Sequence, residues 1–143
     1  MTIASLGIVM RAFGGVERDP EEQRQLVNEA LLMTLARASS SDSHVHPAEV
    51  STVIEIMQEV TGERLSSAEV RVAAHAELFE TMSLHSALSK LRHELTSADR
   101  VLIAHSLARL IKSDVRISPL ETEFFDQVTQ ALKITPSELA GLV

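Results

Sequence analysis

Ser41-Asp42-Ser43-His44-Val45-His46-Pro47-Ala48-Glu49 recurs 72 residues further on as Ser113-Asp114-Val115-Arg116-Ile117-Ser118-Pro119-Leu120-Glu121. Both copies read Ser-Asp-x-x-(Val or Ile)-x-Pro-x-Glu, and they align without a gap. Each follows a long segment with apolar residues at three- and four-residue spacing, and each precedes another such segment. The match extends upstream, where Leu35-Ala36-Arg37 returns as Leu107-Ala108-Arg109. Downstream, Val53 and Ile56 correspond in kind to Phe125 and Val128. The unit is a helix, a polar connector and a second helix, used twice with a helical insert between the copies. Two amphipathic hairpins of this type can pack face to face around a pseudo-twofold axis, each burying the stripe the other would expose.

Working outward, Asp19-Pro20-Glu21-Glu22 has the layout of a helix start. A side chain there accepts from orphan amides, proline stands where no N–H is needed, and an acid follows three after the cap. The helix it opens carries Leu26, Val27, Ala30, Leu31, Thr34, Leu35 and Ala38 on one stripe, with Gln and Glu opposite. Val50, Val53, Ile54, Met57 and Val60 mark the helix after the first connector, and Thr61-Gly62 marks its stop. Ser66-Ser67-Ala68-Glu69 is a capping box, and the periodicity after it predicts a helix to about Met82 with a break near Ser83. Thr96-Ser97-Ala98-Asp99 opens a helix apolar on most sides, from Val101 to Ile111, which predicts the central helix of the bundle. Thr135-Pro136-Ser137-Glu138 caps a short final turn. No stretch alternates with period two between hairpin turns. The fold class is therefore all-α, a single-domain helical bundle of about seven or eight helices with an internal repeat. An N-terminal amphipathic helix and linker occupy residues 1–18, ahead of a helical domain over 19–143.

Composition narrows the function classes. A chain of 143 residues can bury about two thirds of its unfolded surface, so it needs neither disulfide nor metal to fold. It has no cysteine, which fits a reducing, cytoplasmic setting. Thirteen basic and twenty acidic residues give a net charge of −7, the wrong sign for nucleic acid or an anionic bilayer. Four Phe, with neither Trp nor Tyr, leave little to stack on bases. No apolar run approaches a membrane span. The apolar segment Ile3 to Phe13 lacks a basic leader region and is read as a first helix folded onto the body, the alternative being a helix that docks a partner or makes peripheral membrane contact.

The richest constellation is Asp42-x-His44-x-His46-x-x-Glu49. Two carboxylates and two imidazoles within one turn suit a divalent metal such as zinc, nickel, manganese or iron. The second copy offers only Asp114 and Glu121. The competing reading is structural. In it Pro47 and Pro119 stand at the first helical position, and Glu49 and Glu121 reach back to cap the helix. His75, His85, His93 and His105 fall on predicted helices, and none follows a Glu at the spacing of di-iron bundles. His105, on the predicted central helix, is read as a hydrogen-bonded core histidine. There is no nucleophile elbow and no glycine-rich phosphate loop, so no catalytic residue is assigned.

A helix ending Leu-Ala-Arg-Ala, an acidic turn and then (Val or Ile)-x-Pro-x-Glu opening a helix resembles the tellurite-resistance TerB-like family, over roughly Leu26 to Leu142. The family pattern is Ala-Asp-Gly-x-Ile-Asp-x-x-Glu, twice. Asp42 and Asp114 take its acidic turn position, and Glu49 and Glu121 its helix glutamate. Ser43 and Val115 replace its turn glycine, while His46 and Ser118 replace its second acid. The resemblance implies an all-α bacterial stress protein, with divalent-metal binding suggested for the acidic connectors. Two functions follow as expectations: a non-enzymatic interaction module with a protein partner, or a metal-binding or sensing protein using residues 42–49.

Overall fold

The computed structural model describes residues 3–15, 17–39, 47–113 and 119–140; for 47–49, 119–122 and 139–140 it describes the backbone. Eight α-helices are seen among them: α1 (Gly7–Ala12), α2 (Pro20–Ser39), α3 (Pro47–Thr61), α4 (Ser67–Ala74), α5 (Leu84–Leu91), α6 (Ser97–Lys112), α7 (Pro119–Ala131) and α8 (Pro136–Ala140). Short 3-10 turns occupy Ile3–Ser5, Glu77–Glu80 and Arg92–Glu94, and the described residues contain no strand. The chain is all-α, as its periodicity requires.

The helix starts are chemically explicit. The Glu22 amide donates to Asp19 Oδ1 at 2.8 Å, and the Asp19 amide donates to Glu22 Oε1 at 3.3 Å. The same reciprocal pair joins Ser66 to Glu69 and Thr96 to Asp99, and Thr135 to Glu138. Each pair satisfies two amides that a helix leaves without internal partners, and such a cap contributes about 1 kcal/mol. Ser83 accepts from the Ser86 amide at 3.1 Å and opens α5. Gly62, with φ +79°, stops α3 and donates to the Gln58 carbonyl.

The central helix is α2, not α6 as the sequence suggested. Leu26, Val27 and every residue from Glu29 to Ala36 are buried. Around α2 lie the first 3-10 turn, α1, α3, α4, α5 and α6. By contrast α6 exposes His105 and Arg109 to solvent. The buried polar residues of α2 have protein partners. Thr34 Oγ1 donates to the Ala30 carbonyl, Ser39 Oγ to the Ala36 carbonyl, and Glu29 accepts from α1. The N-terminal segment is what closes that side of α2. Ile3, Ala4, Leu6, Ile8, Val9 and Ala12 are all buried within the common core.

The repeat is visible as two helix pairs. α2 and α3 pack on each other, as do α6 and α7, while α2 packs on α6. The second helix of each pair begins on its proline, Pro47 or Pro119. The insert breaks the equivalence: α3 lies against α4 and α6, whereas α7 lies chiefly against α5 and α6. The insert is also shorter in its first helix than the periodicity implied. α4 ends at Ala74, and the chain resumes as a 3-10 turn at Glu77. Arg37 of α2 explains the stop, because its Nη1 donates to the Ala74 carbonyl at 3.0 Å. A tertiary hydrogen bond thus takes the place of the next helical turn.

Candidate functional site

The connector residues divide by position. Asp42, His44, His46 and Asp114 lie outside the described residues. The backbones of Glu49 and Glu121 are placed third in α3 and α7 respectively. Four acids stand at the same third position in other helices: Glu22, Glu69, Asp99 and Glu138. All four accept the amide of the residue that precedes their helix. For Glu138 the amide and hydroxyl of Thr135 hold the carboxyl below its ordinary value. The proline and glutamate of the repeated stretch are therefore placed where a helix start puts them.

The remaining histidines do not converge. His75, His85, His93 and His105 are all exposed. The reading of His105 as a core histidine is corrected: it stands on the solvent side of α6, in an apolar groove that also includes Val101, Leu102 and Glu138. α6 buries its other faces against α2, α3 and α7, so breadth of apolar residues did not mean burial all round. Among the described residues, no three His, Asp or Glu side chains lie close enough together to hold a metal ion.

What sequence reading missed is a set of interior polar fastenings. The Glu29 carboxylate is fully buried, and its Oε1 accepts from the Ile8 amide at 2.9 Å and the Val9 amide at 3.0 Å. Gln25 Nε2 donates to Oε2 at 3.0 Å. Leu6, ahead of α1, has φ +56° and offers no capping side chain. Glu29 therefore caps α1 from another helix. Burial pushes its carboxyl above the ordinary 4.5, and the two amides, Gln25 and Arg11 pull the other way. A second fastening joins Arg18 Nη2 to Glu94 Oε2 at 2.7 Å and Arg18 Nε to Gln23 Oε1 at 2.9 Å. Arg37 is the third. Its guanidinium lies 4.4 Å over the Phe79 ring, and burial pulls its pKa down. The one sequence signal that pointed to this residue was its place in the repeat. Its counterpart Arg109 pairs instead with Glu59 on α3, at 2.5 Å.

The repeated hairpins, the doubled connectors and the all-α bundle can now be set beside known proteins. Residues 28–142 match the model of a family described as tellurite resistance protein TerB. The chain belongs to the TerB family. No curated protein and no solved structure matches it. The TerB match begins one residue before Glu29, so the carboxylate lies inside it and α1, which that carboxylate holds, lies outside.

Proposed function

We propose that this TerB-family protein is a non-catalytic helical module of the tellurite and metal stress response, working in the cytoplasm by docking a protein partner. The observation that carries this reading is the use made of buried and half-buried polar groups. Glu29, Thr34, Ser39, Arg18 and Arg37 each fasten one part of the bundle to itself or to its neighbour. Two grooves lined by described residues, one between α5 and the end of α7 and one beside His105, are open to solvent. A molecule built this way acts through its surface. Its net charge of −7 favours a basic partner face and steers the encounter. Peripheral contact with a membrane, through such a partner, belongs to the same reading.

The test is site-specific photo-crosslinking in tellurite-challenged cells, with the crosslinker at exposed Val72 on α4 or His105 on α6. The adduct is then rebuilt from the two purified proteins. A saturable complex that survives chelator supports docking. Failure to rebuild any complex, or a purified chain that turns over a substrate, removes it.

A second reading, divalent-metal binding at the first connector, rests on a placement. Glu49 stands third in α3, seven, five and three residues after Asp42, His44 and His46 in the sequence, while Glu121 takes the same position in α7, seven after Asp114. Zinc, manganese or nickel could draw on both carboxylates and imidazoles of the first copy. Calorimetric titration decides it. A heat signal lost in the His44→Ala, His46→Ala double variant supports the reading, and a flat trace for the unaltered chain ends it.

A further inference from the structure

A groove of about 530 Å³ runs between α5 and the end of α7. From one side it is lined by His85, Ser89 and Arg92, spaced at four and three residues so that they form a single stripe. Gln130 and Lys133 face them from the other side. In a chain with seven more acids than bases, no carboxylate among the described residues lines this recess. The side chains of Arg92 and Lys133 have no ion pair among the described residues; Arg11, Arg18 and Arg109 do. Two cations far apart in the sequence thus line one recess, with no carboxylate among its described lining residues. The clustering follows from the packing of α5 on α7, since residues 92 and 133 belong to different helical segments.

We propose that this groove is a binding site for a phosphate group. An arginine fork and a lysine point charge are complementary to a doubly charged tetrahedral anion. Ser89 and Gln130 add neutral donors, and a recess of this volume admits a small molecule rather than a polymer. Two cations are too few to track a nucleic-acid backbone, whose binding needs a row of them. The phosphate could be carried free, on a small ester or on a lipid headgroup, and all three present the same group to Arg92 and Lys133. The site is separate from the connectors and does not rest on the docking reading.

The experiment is a titration of the full chain with inorganic phosphate, followed by amide NMR at constant ionic strength with chloride as the control anion. In parallel, the chain is mixed with phosphatidylcholine vesicles with and without phosphatidic acid. Saturable shifts confined to residues 85–92 and 129–135, absent with chloride, support a soluble phosphate ligand. Retention on phosphatidic acid vesicles alone, lost in Arg92→Gln, supports the headgroup as its source. No saturable shift and no retention overturn the proposal. So do shifts of equal size with chloride, or responses unchanged in Arg92→Gln with Lys133→Gly. Each single variant should weaken binding about tenfold, the loss of one charge-assisted contact. Lys133 lies at φ +56°, a conformation glycine adopts freely. Lys133→Gly therefore removes the charge without threatening the fold, and Lys133→Arg should restore binding.

Discussion

A carboxylate with no solvent exposure normally costs more than it returns, unless both of its oxygens are hydrogen-bonded. Glu29 meets that condition through the Ile8 and Val9 amides and Gln25, yet burial still raises its pKa above 4.5. The sign of the pH effect follows. Between the ordinary value and the raised one, the folded state binds more protons than the unfolded state, so this group's contribution to stability falls as pH rises through that window. Glu29→Gln keeps the shape and an acceptor for the two amides and removes the titration. Urea unfolding at neutral pH should show it equal to or more stable than the parent, with that part of the pH slope gone. Glu29→Ala leaves two buried amides unpaired and should cost about 2–5 kcal/mol in the same measurement. If the alanine variant unfolds at the same urea concentration as the parent, the cap on α1 is not a source of stability.

At the scale of the element, two residues share one backbone conformation and should respond oppositely to the same change. Leu6 and Lys133 both have φ +56°, where an L side chain costs about 1–2 kcal/mol. Lys133 is exposed at the end of α7, where the Ile134 amide donates to the Thr129 carbonyl and closes the helix as glycine often does. Thermal melts of Lys133→Gly should show the transition unchanged or raised by a few degrees, about 0.5 kcal/mol, the relief of strain being partly offset by chain entropy. Leu6 is fully buried, and its side-chain burial is worth about 2–5 kcal/mol, more than the strain. Leu6→Gly should therefore lower the melting temperature; a rise would show that strain outweighs packing there.

The same contrast explains what the sequence could show. Caps at Asp19, Ser66, Thr96 and Thr135, the stop at Gly62 and the starts at Pro47 and Pro119 were legible, because each depends on neighbours in the chain. The end of α4 at Ala74, the burial of Glu29 and the exposure of His105 were not. They depend on Arg37, on the amides of α1 and on which face of α6 meets α2, none of which is near in sequence. The candidate site was legible only as a composition. The Asp42, His44, His46 and Glu49 set identifies itself by residue type, whereas the pairing of Arg92 with Lys133 across a groove exists only once α5 meets α7.

On the scale of the whole molecule, the N-terminal segment and the TerB-matched region share one core. Ile3, Leu6, Ile8 and Val9 are within a few per cent of full burial, and each such side chain contributes about 1.5–3 kcal/mol. Their sum rivals the about 5–15 kcal/mol that holds a domain of this kind folded. A chain lacking residues 1–18 should lose its cooperative thermal transition by calorimetry; an unchanged melting temperature would show that α1 is an appendage. With α1 in place, Glu29, Thr34 and Ser39 are tied into the framework, and function falls to the surface. The measurement that meets this claim head-on is the affinity of the purified, full-length protein for the partner captured by crosslinking at Val72 or His105, determined by calorimetry in chelator. A saturable complex of defined stoichiometry is the expected result. Flat heats for that pair, with no complex formed, would contradict it.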